Sequence, residues 1–157
     1  MTPAINLVKK HKIKHSVHEY HHDTSSSESY GQEAADKMGI SPEQVFKTLV
    51  VSLENKEMVV AVLPVSSMLS MKHIAKAAGA KKAMMADKHA VERASGYVLG
   101  GVSPLGQKKR LRTFIDSSAE NFDTIFVSAG KRGLEIELSL ADLEKLINAK
   151  LSPLIIS

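Results

Sequence analysis

The sequence contains no cysteine and no tryptophan. The first absence excludes disulfides, thiolate metal sites and any enzyme thiol nucleophile. The second, with aromatics at only 4% of the residues, leaves no platform on which several bases could stack in a row, so an RNA contact would lean on cations and main chain. No apolar run approaches the length needed to cross a bilayer, and the start, Met1-Thr2-Pro3-Ala4-Ile5-Asn6, lacks the charged-then-apolar layout of a signal peptide. The expectation is a cytoplasmic protein without a membrane partner. Acidic residues are in the minority, 17 against 21 Lys and Arg for a net charge of +4, which leans weakly toward an anionic partner. What is present, 43% apolar and 24% charged residues in a chain of 157, suits one globular domain over residues 1–157 with a real core.

Local signals give the element order. Thr2 followed by Pro3 is a cap and first-turn proline for a short helix to Lys10, with Ile5 and Val8 inward. Lys14 to Tyr20 alternates as a strand, with Val17 on one face and Ser16, His18 and Tyr20 on the other. A polar loop over residues 21–31, centred on Thr24-Ser25-Ser26-Ser27, leads to a helix from Gly31 to Lys37 closed by Gly39, and Ser41-Pro42-Glu43-Gln44 opens a single capped turn. Phe46 to Leu53 and Glu57 to Leu63 predict a hairpin. A helix over Met71 to Ala78, a short strand at Ala83 to Met85 and a helix from Asp87 to Ser95 follow. Strands are expected at Tyr97–Leu99, Arg112–Ile115, Thr124–Ser128 and Leu134–Leu138, and Ser139 with Asp142 caps a last amphipathic helix. Hairpins outnumber crossovers, which predicts an α+β fold: a curved, mixed, mostly antiparallel sheet, barrel-like, with helices outside.

Two stretches carry the chemistry. In Gly96 to Arg112 an apolar segment meets Gly100 and Gly101 and then Ser-Pro-Leu-Gly, where main chain can approach a ligand without a Cβ in the way. Lys108, Lys109, Arg110 and Arg112 follow with no acid before Asp116, an edge suited to phosphate. Opposite it, in this reading, stands Val45 to Val51, in which Lys47 is a cation inside an apolar strand. A snorkelling lysine is the bland account of that residue.

Other chemistries find less support. Five of the seven histidines fall between His11 and His22, but His21 and His22 are adjacent and would point apart on a strand, and no ligand spacing completes a metal site. No metal and no cofactor is expected. Ser103 and Ser128 stand near glycines without a nucleophile elbow and read as hydrogen-bonding groups.

Taken together, V-F-K-T-L-V-V, A-K-A-A-G-A-K-K, M-A-D-K, G-Y-V-L-G-G-V-S-P-L-G-Q-K-K-R and V-S-A-G-K-R-G-L-E-I-E-L resemble the YbaK family of aminoacyl-tRNA deacylases, related to the editing domain of bacterial prolyl-tRNA synthetases, over nearly the whole chain. The resemblance implies a curved mixed sheet with flanking helices and a hydrolase that clears cysteine from mischarged tRNA(Pro). Its implied partners are that tRNA and prolyl-tRNA synthetase, not DNA. It implies Lys47 as the residue on which activity depends, with Tyr20, Tyr30, Gly100, Gly101, Ser128 and Glu135 around the substrate. Lys108, Lys109, Arg110, Lys131 and Arg132, in two basic runs beside glycine turns, are the candidate contacts to tRNA phosphates. Two departures stand out: the later hairpin reads S-A-G-K-R-G where the family has S-G-G-K-R-G, and Glu135 replaces an aspartate. The mechanism implied has the substrate's own thiol attack its ester. The alternatives are removal of alanine or another small residue from tRNA(Pro), and a non-catalytic module that binds RNA or nucleotides.

Overall fold

A computed structural model describes residues 1–23 and 29–156; the centre of the expected polar loop, residues 24–27, lies outside them. Each helix begins where a small polar side chain can accept an otherwise unpartnered N–H. Thr2 accepts from Ile5 N at the start of α1 (Pro3–Lys10), Ser29 from Gln32 N at α2 (Tyr30–Met38), and Ser70 from His73 N at α3 (Met71–Ala77). Asp87 accepts from Ala90 N at α4 (Lys88–Ser95), and Ser139 from Asp142 N at α5 (Leu140–Ile147). Thr2 also donates its hydroxyl to the Ala129 carbonyl, which pins α1 onto the strand that carries Ser128. Ser41–Gln44 forms a turn closed by Gln44 N donating to Ser41 O at 2.9 Å.

The strands form two sheets. One is antiparallel, in the order β1 (His15–Glu19), β7 (Leu134–Leu138), β6 (Ile125–Lys131). The other runs β4 (Ala83–Met85), β2 (Phe46–Leu53), β3 (Met58–Pro64), β5 (Thr113–Asp116), β8 (Lys150–Ser152), antiparallel at β4–β2–β3 and parallel at β3–β5–β8. A single parallel bridge between Val45 and Phe126 joins the sheets. The mixed, mostly antiparallel α+β layout is the one expected, and the barrel is not closed.

Period-2 alternation sorts the core. Phe46, Val50, Val60 and Val62 face inward and pack with Ile125, Val127, Ile136 and Leu138 of the other sheet, closed below by Ala4, Ile5 and Val8 of α1 and Leu143 of α5. Val51, Leu53, Val59, Ala61 and Leu63 face outward against Ile74 and Ala78. Both faces of the β2–β3 hairpin are covered, which explains its nearly unbroken apolar run. On β1 it is the partly exposed His18 that turns toward the core, its ring centroid 5.1 Å from that of Phe126, while Val17 is 40% exposed.

The strand expected at Tyr97–Leu99 is absent. Tyr97 is buried, its hydroxyl donating to the Leu105 carbonyl at 2.6 Å, and Gly101 N donates to Val98 O at 2.9 Å, so residues 98–101 form a turn that leaves Val98 and Leu99 exposed. A phenol anchored to a loop eight residues on outweighs the β-propensity of three apolar residues. Residues 101–105 are buried as well. The Ser-Pro-Leu-Gly turn is a plug beneath α1 and not the open phosphate cradle that its composition suggested. Two further elements escaped the sequence: β8, and a 3-10 turn over Ser117–Asn121.

Candidate active site

Where the sheets part, a cavity of about 490 Å³ opens along β2. Its floor is the consecutive run Phe46 to Val50; one end is formed by Ser128 and Glu135 of the small sheet with Tyr30 at the start of α2, the other by Met85, Ala86 and Val91. Leu99, Gly100 and Val102 form the remaining wall, so the two stretches singled out in the sequence do meet. α2 reaches the cavity because residue 31 is glycine: a Cβ there would fall 2.2 Å from Val65 Cγ1.

Lys47 lies half-buried in this cavity, and burial lowers its ammonium pKa. Nζ donates to the Ser67 carbonyl at 2.6 Å, and no carboxylate among the described residues pairs with it. The charge is therefore available to a ligand.

At the opposite end Tyr30 is a hub. Its hydroxyl is 2.8 Å from the Lys131 carbonyl, 2.9 Å from Ser128 Oγ and 3.3 Å from Glu135 Oε2. One phenolic proton cannot serve three acceptors, and the Lys131 carbonyl is the nearest. Ser128 Oγ in turn accepts from Gly130 N at 3.1 Å, a bond made within the bulge that shifts the β6–β7 register after Ser128. Glu135 is 1% exposed. Burial pushes its carboxyl up to about 8, with the Tyr30 hydroxyl opposing, which shifts it toward the protonated acid at neutral pH. Burial, then the nearby Glu135, drives the Tyr30 hydroxyl upward too.

Tyr20 stands behind this end and outside the cavity lining. Its hydroxyl is buried, and burial raises it to about 12 against the opposing Gly133 main chain. Gly100 lines the cavity, whereas Gly101 turns onto the β6–β7 turn, where a Cβ would lie 3.0 Å from Lys131 Cα. The basic residues divide. Lys131 is exposed on that turn, while Arg110 lines two smaller cavities of about 230 and 350 Å³ beside α5, the first shared with Lys109, and Lys108 is exposed next to them in sequence. Arg132 Nε donates to Glu33 Oε1 at 2.9 Å, with its guanidinium 5.7 Å from the Tyr30 ring centroid.

Sequence reasoning missed Glu33 altogether. It is fully buried, and burial alone would raise its carboxyl. Hydrogen bonds from His22 at 2.8 Å, from Arg132 and from Asp23 N at 3.1 Å outweigh that and hold it at about 2. The carboxylates that the histidine-rich segment lacked in sequence are supplied by the fold: His22 meets Glu33, and His18 Nε2 meets Glu137 Oε1 at 2.9 Å. A glutamate three residues into a helix was the only available signal for Glu33. Ser67, Met85 and Val102 gave none.

Residues 25–146 match the aminoacyl-tRNA editing domain family. The chain belongs to that family. It is 38% identical over 151 residues, 95% of this chain and 90% of the relative, to an Enterococcus faecalis protein named "Putative Cys-tRNA(Pro)/Cys-tRNA(Cys) deacylase EbsC". It is 26% identical to the uncharacterised YwhH of Bacillus subtilis over 73% of this chain and 72% of that one. Among solved structures, one described as "a putative trans-editing enzyme for prolyl tRNA synthetase" superposes with a TM-score of 0.82 over 100% of this chain and 99% of the other, at 19% identity. That likeness shows the editing-domain fold. Within the family frame, the cavity with Lys47 at one wall and Tyr30, Ser128 and Glu135 at another is the candidate active site.

Proposed function

We propose that this protein is a trans-acting hydrolase that deacylates tRNA(Pro) mischarged with cysteine, working in the cytoplasm beside prolyl-tRNA synthetase as one editing domain over residues 1–157. The observation that carries the reading is that Lys47, unpaired by any carboxylate among the described residues, lines one cavity with Tyr30, Ser128 and Glu135, in a chain similar to a protein named for cysteinyl-tRNA deacylation. A synthetase whose pocket accepts proline cannot reject cysteine strongly on size, so a second hydrolytic step is needed.

The chain has no thiol of its own, and among the described residues Ser128 is engaged by Tyr30 and Gly130 and by no histidine. The nucleophile comes from the substrate. The cysteinyl sulfur attacks its own ester carbonyl, the carbon–oxygen bond to the ribose breaks, and the thiol proton passes to the departing ribose oxygen. Water then opens the resulting thiolactone to free cysteine. Lys47 offsets the negative charge that develops on the carbonyl oxygen, and the Tyr30–Ser128–Glu135 end holds the aminoacyl group within reach. Proximity of this kind contributes on the order of 7–11 kcal/mol in well-oriented cases.

Lys108, Lys109, Arg110, Lys131 and Arg132 are proposed to contact tRNA phosphates. The decisive assay is release of cysteine from cysteinyl-tRNA(Pro), with and without the synthetase, against alanyl-tRNA(Pro) as comparator. Rapid cysteine release supports the reading. Binding without release, or preference for the alanyl ester, overturns it.

A further inference from the structure

Side chains on a strand alternate between its faces, so a cavity that meets one face touches every second residue. This cavity is lined by Phe46, Lys47, Thr48, Leu49 and Val50 in succession. It therefore runs along the edge of β2, where the main chain itself is presented.

The hydrogen-bond register identifies the groups on that edge. Val65 N donates to Val45 O, and Leu53 N to Glu57 O, so the odd-numbered residues of β2 bond to β3 and the even-numbered ones point the other way. On that other side Phe126 N donates to Gln44 O, and Ala86 N donates to Val50 O at 3.1 Å. Between β6 at one end and β4 at the other, Thr48 has neither neighbour. Its N–H and C=O have no main-chain partner among the described residues. The Thr48 hydroxyl is buried and equally without a hydrogen-bond partner among them. A buried polar group left in this state calls for a partner, and Thr48 lines the cavity where a ligand could supply one.

We propose that the gap in the β2 edge at Thr48 seats the aminoacyl group of the substrate as a one-residue strand. An α-aminoacyl ester carries an ammonium donor and a carbonyl acceptor in the spacing of a strand residue. The ammonium donates to the Thr48 carbonyl, and the Thr48 N–H donates to the ester carbonyl oxygen. That contact strengthens as the oxygen gains negative charge, which makes the Thr48 N–H an oxyanion donor alongside Lys47. The recognition reads what all aminoacyl esters share and leaves choice of side chain to the cavity ends. The inference rests on the deacylase reading.

The test is residue-resolved amide hydrogen exchange by NMR, with 3′-(L-cysteinylamino)-3′-deoxyadenosine, whose amide resists cleavage, as the probe. In the free protein the Thr48 amide should exchange about 10²-fold faster than those of Leu49 and Val51, which belong to the β2–β3 ladder. Saturating probe should slow Thr48 by about 10-fold or more and leave the other two unchanged. An amide-to-ester replacement at Thr48, installed with the matching α-hydroxy acid, should lower single-turnover deacylation by about 10²-fold, the usual loss for one oxyanion donor. A Thr48 amide already as slow as Leu49, or one the probe leaves unchanged while shifting Ser128 and Glu135, overturns the inference and leaves the deacylase reading standing. A probe that shifts no amide of the cavity counts against that reading, and the inference falls with it.

Discussion

Lys47, which lines the cavity, donates from Nζ to the Ser67 main-chain carbonyl at 2.6 Å. A carbonyl holds an ammonium in place without cancelling its charge, which suits a group meant for a ligand. Lys47→Ala should leave stability within about 1–2 kcal/mol of the parent, since a half-exposed lysine contributes modest packing, and should abolish most deacylation. Thermal unfolding and single-turnover kinetics on the same preparation check both halves. Near-normal turnover would remove Lys47 from the chemistry.

Glu135 gives the protein a specific pH dependence. It keeps its proton in the folded state to about pH 8, while an unfolded glutamate releases it near 4.5. Between those values the folded state binds more protons, so stability falls as pH rises through that window and levels off above it. Glu33, held at about 2, acts in the opposite direction: its contribution is complete above about 4.5 and is lost as pH falls toward 2. Glu135→Gln should flatten the decline in melting temperature between pH 5 and 8.5. An unchanged slope in that variant would show that Glu135 is ionised at neutral pH.

The adjacent Lys131 and Arg132 should separate by phenotype. Removing Arg132 leaves the buried Glu33 short of a cation, so Arg132→Ala should cost about 3 kcal/mol in folding, whereas Lys131→Ala on the exposed turn should cost little. Exposed cations reveal themselves through salt. If about four of the proposed contacts form, log affinity for tRNA should fall against log salt with a slope of roughly −3. A flat response would leave these charges merely solvated.

Gly101 illustrates a role set by the fold. A Cβ there meets Lys131 Cα at 3.0 Å and the Gly130 carbonyl oxygen at 3.3 Å, both main-chain atoms that move only with the whole turn. That turn also carries the Lys131 carbonyl that anchors Tyr30. Gly101→Ala should therefore cost about 1–3 kcal/mol and lower turnover by displacing the Tyr30 hub. Full activity with full stability in this variant would make the glycine incidental.

The parts of the fold written locally were legible in sequence. Thr2, Asp87 and Ser139 cap helices through atoms three residues away, and the β2–β3 hairpin announces itself by its apolar run on either side of a short polar turn. What depended on distant partners was not. Tyr97 reads as a strand residue until Leu105 takes its hydroxyl, Val17 reads as the apolar face of β1 until His18 is found against Phe126, and β8 exists only by pairing with β5. The site divides in the same way. Lys47, Tyr30, Ser128 and Glu135 were named from motifs, and the fold gathers them around one cavity. Glu33 and the open edge at Thr48 follow from which elements adjoin, a fact no single stretch of sequence contains.

A substrate thiol acting as nucleophile leaves its mark on single-turnover deacylation at saturating enzyme. Cysteinyl, seryl and S-methylcysteinyl esters of tRNA(Pro) should all bind, because they share the aminoacyl core and fit a cavity of about 490 Å³. A serine hydroxyl is a far poorer nucleophile than a thiol at neutral pH, and a thioether has no proton to release. If the thiol's proximity supplies even ~3 kcal/mol, the cysteinyl ester should be cleaved about 10²-fold faster than either comparator. Equal rates for the cysteinyl and seryl esters would contradict substrate-assisted cleavage and place the nucleophile in a bound water instead.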